Sequence, residues 1–217
     1  MKCSGIVLCG GQSSRMGYPK AWLPFGTEFL LQRVTRLLTE VVDPVVVVAA
    51  PDQKLPELSS QVLLARDRRG GQGPLEGLYV GLTTLGGDCD AAFVTSCDVP
   101  FLAPAWIRKM VQLLEGYDIA VPRDDHYHHP LAAIYRVSVI EHIEHLFAME
   151  QLRPRFLFSK VNTREVSTDI LREIDPSLAT LKNLNRPEEY FDALKLAGLD
   201  IDPAIEKLLV SPDREQS

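Results

Sequence analysis

The sequence has no hydrophobic run long enough to cross a bilayer. Its longest aliphatic stretch, Val45 to Ala50, has the length of a single strand. It has no excess of positive charge either. Lys and Arg number 23 against 29 Asp and Glu, a formal net charge of −6. That balance argues against a broad nucleic-acid surface, because phosphate backbones need a basic field. Any phosphate it binds must therefore be held by a local cluster of amides and cations. No C-x-x-C pair occurs among Cys3, Cys9, Cys89 and Cys97. The residues from Met1 to Gly5 lack signal-peptide anatomy, so the cysteines read as reduced, buried thiols of a cytoplasmic protein. Internal repeats and low-complexity linkers are also missing.

What is present suits one α/β domain: 217 residues, 46% of them hydrophobic. Ile6-Val7-Leu8 reads as a buried strand feeding the tight loop at Gly10-Gly11. Leu30, Val34, Leu37, Leu38 and Val41 form an amphipathic helical stripe that Asp43-Pro44 breaks. Val45 to Ala49 is apolar throughout, as expected where helices cover both faces of a parallel sheet. Gln61 to Ala65 and Ala91 to Thr95 read as further strands, Leu75 to Leu85 as a helix. Pro104 opens another helix. Asp118 to Val121, Leu131 to Val137 and Val161 to Ser167 are the later strand candidates, with His142 and His145 in a helical stretch. Pro187-Glu188-Glu189 starts a helix that Gly198 closes, and Pro203 to Val210 is a last short one. The alternation predicts a three-layer α/β/α Rossmann-like sandwich with a mostly parallel sheet.

Ligands of such sheets bind outside the carboxyl ends of the strands, and three loops there carry unusual residues. The first runs from Leu8 through Cys9, Gly10 and Gly11 to Arg15 and Lys20. Its glycines let N–H groups converge on a phosphate, Arg15 can fork onto the oxygens, and Lys20 adds a point charge. It is not a P-loop, since Met16 stands where the second glycine belongs, and it is not a dinucleotide fingerprint. The plain alternative is a glycine-rich turn with solvated cations. The second loop, Ser96-Cys97-Asp98-Val99-Pro100, delivers one carboxylate that can anchor magnesium together with substrate phosphates; the alternative is an Asp capping a turn. The third begins at Asp67 and includes Gly73-Pro74-Leu75-Glu76-Gly77, where a base or ribose can approach closely, or the chain simply crosses over.

Together these loops resemble the molybdenum cofactor guanylyltransferases, within the wider nucleoside-triphosphate transferase family of nucleotide-diphospho-sugar transferase-like fold. Leu8, Gly10, Gly11, Ser13, Arg15, Met16, Gly17 and Lys20 meet that family's L-x-G-G-x-S-x-R-M-G…K pattern. Gly73, Pro74, Leu75 and Gly77 meet G-P-L-x-G, and Cys97, Asp98 and Pro100 meet C-D-x-P. Asn183, Asn185, Pro187, Glu188 and Glu189 meet N-x-N-x-P-E-E. The likeness spans roughly Ser4 to Leu196, and it implies a nucleotidyltransferase domain over 1–198 followed by a short helix and polar tail over 199–217.

The resemblance implies that GMP passes from Mg-GTP to the terminal phosphate of molybdopterin or molybdenum cofactor, with release of pyrophosphate. It implies nucleotide contacts from Leu8, Cys9, Gly10, Gly11, Lys20, Asp67, Gly73 and Asp98, with Arg15, Lys20 and Asp98 as the catalytic set. Asp98 would hold Mg2+, and Asn183, Asn185 and His129 would face the acceptor. His126 and His128 read as surface residues, since H-x-H-H on an irregular connection lacks companion zinc ligands. Transient contact with molybdenum-cofactor enzymes or insertion proteins is implied as well. Gly10-Gly11 favours guanine. The family's asparagine at the end of the second strand is missing from Val48-Ala49-Ala50, which leaves a CTP-dependent molybdenum cofactor cytidylyltransferase open. A sugar-phosphate nucleotidyltransferase and a non-catalytic nucleotide-binding protein are the further alternatives; Arg15, Lys20 and Asp98 together argue against the last.

Overall fold

A computed structural model of the protein describes residues 1–10, 15–67 and 73–210. β1 (Cys3–Leu8) leads through the first loop to a small hairpin, β2 (Pro24–Phe25) and β3 (Glu28–Phe29), and then to α1 (Leu30–Thr39). β4 (Val45–Ala49) and β5 (Val62–Arg66) precede α2 (Pro74–Leu85), which starts on Pro74 behind Gly73. β6 (Ala91–Ser96), α3 (Pro104–Leu113) and β7 (Ile119–Arg123) follow. Then come β8 (Ala133–Arg136), α4 (Ile140–Ala148), α5 (Arg155–Phe158), β9 (Thr163–Ser167) and α6 (Thr168–Leu171). The chain ends in α7 (Pro187–Leu196) and α8 (Pro203–Val210).

The sheet has seven strands in the order β5-β4-β1-β6-β8-β7-β9. β1 pairs in parallel with β4 on one side and β6 on the other, and β4 pairs in parallel with β5. β8 runs antiparallel to both β6 and β7, and β7 pairs in parallel with β9. The expected α/β sandwich is therefore observed, with one reversed strand. Two strand candidates are shorter than expected, and of Val161 to Ser167 only Thr163–Ser167 forms a strand. Within Leu131 to Val137, Pro130–Ala132 forms a 3-10 turn and only Ala133–Arg136 joins the sheet. Pro130 sits at the first position of that turn, where its missing N–H is no loss, and the Ala132 N–H donates to the His129 carbonyl, not to a ladder.

Alternate residues along each central strand feed two cores, as the period of a strand covered on both faces requires. Val7, Val45, Val47, Ala49 and Phe93 pack with residues of α1 and α3. Ile6, Leu8, Val46, Val48 and Val94 pack with residues of α2, α4 and α5. A third cluster joins Met16, Leu23, Phe25 and Leu30 to Leu184, Tyr190, Ile205 and Leu209, which fastens α7 and α8 against the first loop. Among the described residues no helix is long and apolar enough to cross a membrane.

α2 approaches β1 closely because it presents glycine where they meet. A Cβ on Gly81 would stand 2.7 Å from a methyl group of fully buried Ile6. Overpacking of that kind costs roughly 1–3 kcal/mol. Gly81→Ala is expected to lower the melting temperature of the full chain; an unchanged thermal midpoint would mean that α2 can slide without penalty.

Candidate active site

β1, β4, β5, β6 and β7 run in the same direction, so the segments that follow them leave the same edge of the sheet. Cys9 and Gly10 follow β1, Ala50 follows β4, Asp67 follows β5, Cys97-Asp98 follows β6 and Asp124 follows β7. The chain winds from β1 out to β4 and β5, then returns to lay β6 on the other side of β1. The crevice between the ends of β1 and β6 is thus the topological switch point, where open α/β sheets bind ligands.

Asp98 lies at this crevice, 6% exposed. Its Oδ2 accepts from Lys20 Nζ at 2.6 Å; its Oδ1 accepts from Ser96 Oγ at 2.5 Å and Asn183 Nδ2 at 3.0 Å. Lys20 Nζ also donates to Asn185 Oδ1 at 2.8 Å. Four residues chosen from three distant motifs therefore meet at one point. A carboxylate this enclosed needs charge-assisted donors, since an unpaired buried charge costs several kcal/mol.

Local structure explains the convergence. Lys20 opens a 3-10 turn just after Pro19, and the loop before it is anchored by fully buried Met16. The Leu184 N–H donates to the Asp98 carbonyl at 2.9 Å, which sets Asn183 and Asn185 on either side of that carboxylate. Glu189, in the first turn of α7, accepts from the backbone N–H groups of Asn185 at 2.6 Å and Arg186 at 3.1 Å. Glu189 was legible as part of N-x-N-x-P-E-E, but its supporting role follows only from the fold. Ser96 carried no signal beyond its place at a strand end.

A second group of residues forms beside the end of β1. The Asp67 N–H donates to the Ala49 carbonyl at 2.9 Å, and the carboxylate lies against Gly10: a Cβ there would meet Asp67 Oδ2 at 2.9 Å. Asp67 Oδ1 is buried with no hydrogen-bond partner among the described residues. Burial, with the nearby Glu76 carboxylate, raises the Asp67 carboxyl above its ordinary value. Gly73 begins α2 with a φ of +85°, a conformation that favours glycine, and Gly77 leaves room for Leu8. Leu8, Cys9, Gly10, Asp67 and Gly73 are accordingly all at the carboxyl edge.

Arg15 is exposed and makes no hydrogen bond to the Lys20–Asp98 group. Gly11, like Ser13, lies outside the described residues. His129 sits on the β7–β8 connection, at the same edge of the sheet, where its Nε2 pairs with Asp124 Oδ2 at 2.8 Å. Asp124 also accepts from the N–H groups of His126 and Tyr127, and with His129 these hold its carboxyl at about 2. His128 pairs with Glu165 at 2.7 Å, and Arg123 pairs with the same carboxylate. The rings of His128 and His129 thus pair with separate acids, and no cluster of three or more His, Cys, Asp or Glu able to hold a metal exists among the described residues. The Cys97 thiol, hydrogen-bonded to Cys9 and buried, is pushed well above the ordinary thiol value, so it stays protonated beside Asp98.

The donor set does fit a hard divalent ion. Asp98 Oδ2 and Asn185 Oδ1 already converge on one cationic group, the Lys20 ammonium. Magnesium selects oxygen donors and needs few from the protein when phosphates and water supply the rest.

The MobA-like NTP transferase domain model matches residues 5–164. A protein of Pelotomaculum thermopropionicum, named a probable molybdenum cofactor guanylyltransferase, is 32% identical over 91% of this chain and 94% of its own length. The molybdenum cofactor guanylyltransferase of Desulfosudis oleivorans is 32% identical over 86% of this chain and 91% of its own. Among solved structures, molybdopterin-guanine dinucleotide biosynthesis protein A from Archaeoglobus fulgidus shares the fold, with a TM-score of 0.76. It is 23% identical, and the match covers 91% of this chain and 99% of that one.

Asp67 generates a test of its own. A carboxyl whose folded-state value is raised above its ordinary 3.8 destabilises the fold once ionised. That penalty is absent below the ordinary value and complete above the raised one. Asp67→Asn is expected to raise the melting temperature at pH 7, with the gain shrinking as pH falls through the raised value towards 3.8. A variant less stable than wild type at pH 7 would show that the carboxylate is compensated.

Proposed function

Because this chain belongs to the MobA-like NTP transferase family, we propose that it is a guanylyltransferase acting on molybdopterin or molybdenum cofactor. It is a nucleotidyltransferase, and the guanylyl reading rests on the curated relatives named for that activity, which align over most of its length. The single observation that carries the site is the joining of Lys20, Asp98, Asn183 and Asn185 by hydrogen bonds at the switch point of the sheet.

In this reading the acceptor's terminal phosphate attacks the α-phosphorus of GTP in line. One P–O bond forms there, the bond to the β-phosphate oxygen breaks, and pyrophosphate leaves. Such a transfer needs alignment and charge neutralisation more than a nucleophilic side chain. Asp98, with Asn185 beside it, would hold Mg2+, which supplies neutralisation of the phosphate charge when bound. Lys20 carries a cation on a flexible stem and can trade its carboxylate partner for a phosphate oxygen. Arg15, exposed after the glycine loop, can fork onto the oxygens of the leaving pyrophosphate. The Gly10 amide, at the end of the Leu8–Gly10 segment, meets the nucleotide, and Asp67 contacts it from the end of β5. Asn183 and His129 face the acceptor.

Guanine offers O6 as an acceptor and N1 and N2 groups as donors, an edge that a pocket of backbone groups near Gly10 and Gly73–Gly77 can read. Each mismatched group left unpaired costs about 1–3 kcal/mol. GTP should therefore exceed ATP and CTP in catalytic efficiency by more than about tenfold, since two such losses compound. The decisive measurement is pyrophosphate release from each of the four triphosphates, with molybdopterin and with sugar phosphates as acceptors. Turnover of CTP as fast as GTP with molybdopterin would replace the guanylyl reading with the cytidylyl one. Activity only with sugar phosphates would move the chain to the other branch of its superfamily.

Asp98→Asn should keep the fold and lose activity by about a hundredfold or more, because metal-held charge stabilisation is worth several kcal/mol. Lys20→Ala should weaken GTP binding and slow the transfer. Near-normal turnover of Asp98→Asn at saturating magnesium would remove the metal assignment.

A further inference from the structure

We propose that Gln53, which no sequence motif marks, is the positioning residue that aims the Gly10 amide at the bound nucleotide. The inference rests on the nucleotide-binding reading of the β1 loop.

The Gln53 side chain spans the gap between the ends of β4 and β1. Its Oε1 accepts from the Ala50 N–H at 3.1 Å, and its Nε2 donates to the Cys9 carbonyl at 3.0 Å. The carboxamide has only one orientation here, because one backbone partner can only donate and the other can only accept. A second, weaker contact runs from Nε2 to Cys9 Sγ at 3.5 Å. Gln53 is fixed in turn. Arg66 Nη1 donates to the carbonyls of both Ala50 and Gln53, each at 2.8 Å, so the end of β5 clamps the turn that presents the carboxamide.

The consequence follows from the planarity of the peptide unit. In a trans peptide the carbonyl of Cys9 and the N–H of Gly10 point in opposite directions within one plane. Drawing the Cys9 carbonyl towards Gln53 turns the Gly10 N–H the other way. Upstream the chain is already held, since the Cys9 N–H donates to the Val48 carbonyl at 2.8 Å. Gly10 itself is exposed, and its N–H has no partner among the described residues. A glycine peptide has little else to resist rotation, because glycine lacks the Cβ that restricts its neighbours. Preorganising one N–H before the anion arrives removes the cost of ordering it on binding. Both ends of the carboxamide are occupied by backbone groups, so Gln53 acts through Gly10 and does not itself grip the ligand.

Two variants of the full chain test this. Gln53→Glu keeps the acceptor and the shape but replaces the donor by a carboxylate that repels the Cys9 carbonyl. Gln53→Met keeps the length, removes both polar ends and adds no charge next to Arg66. GTP is titrated into each protein with magnesium by calorimetry, melting temperatures are recorded, and KM for nucleotide and for acceptor are measured separately. Both variants should bind GTP about ten- to a hundredfold more weakly, the worth of one hydrogen bond to a charged group. KM for the nucleotide should rise with it, KM for the acceptor should not, and the melting temperature should stay near that of wild type. Wild-type GTP affinity in both variants overturns the inference. So does a fall in melting temperature and kcat with nucleotide KM unchanged, which would mark Gln53 as a brace of the fold alone. If the wild-type protein binds none of the triphosphates, the nucleotide reading fails first and this inference with it.

Discussion

The parallel pairing of β1 with β4 on one side and β6 on the other is the constraint on which the rest of the molecule depends. With the other pairings of the sheet it brings the carboxyl ends of six strands to one edge. It also opens the crevice between β1 and β6 because the winding direction changes there. The pairing is secured by packing, not by polar contacts. Ile6, Val7, Val46, Val47, Phe93 and Val94 are fully buried, and they alternate between two cores that helices seal from both sides. A site made of flexible glycine, lysine and asparagine can be assembled at that edge because the strands beneath it have no freedom to shift register.

Asp98 shows how such an edge tolerates charge. Its backbone is held by Leu184, its Oδ1 by Ser96 and Asn183, and its Oδ2 by Lys20. Lys20 and the adjacent pair Asn183-Leu184 come from opposite ends of the chain. The late Asn183–Asn185 segment reaches the site because α7 packs through Tyr190 and Leu194 on the cluster that also buries Met16 and Leu23. Folding of the C-terminal region and assembly of the carboxylate's surroundings are therefore one event. A change at Tyr190 or Met16, far from any phosphate, would loosen Lys20 and Asn185 together.

Much of this was legible in the sequence. The buried strands announced themselves as apolar runs, and Asp67, Gly10 and Asp98 stood directly after three of them, which is where an α/β sheet presents its ligands. Lys20, Asp98, Asn183 and Asn185, read from three separate motifs, are joined by hydrogen bonds in the fold. Other features had no local signal. The reversed direction of β8 is a matter of tertiary pairing, and the turn over Pro130–Ala132 shortened a strand whose apolar pattern ran from Leu131 to Val137. Gln53 is one polar residue in a turn between Pro51 and Pro56, and nothing in its neighbours tells that its carboxamide folds back onto Cys9. Nothing local to His129 tells that Asp124 takes up its ring nitrogen. Reach across the gap between two strand ends is set by backbone geometry, which no spacing rule encodes.

Two carboxylates flank the end of β1, and the protein treats them in opposite ways. Asp98 is compensated by a lysine and two neutral donors, so its charge is sustained inside the fold. Asp67 is partly buried with one oxygen unpartnered among the described residues, and the Glu76 carboxylate adds repulsion. A buried acceptor without a donor is a standing cost of about 1–3 kcal/mol. Packing alone would favour an apolar side chain against Gly10 and Gly77. The cost is recovered if a ligand with N–H or O–H donors, as a ribose or a guanine edge offers, enters beside Gly10 and completes the pairing. On the proposed nucleotide-binding reading, the uncompensated oxygen would be a binding determinant held in reserve by the surrounding strands. In the proposed reading the two carboxylates would divide the work: Asp98 would meet cations and phosphates, and Asp67 neutral donors of the nucleoside.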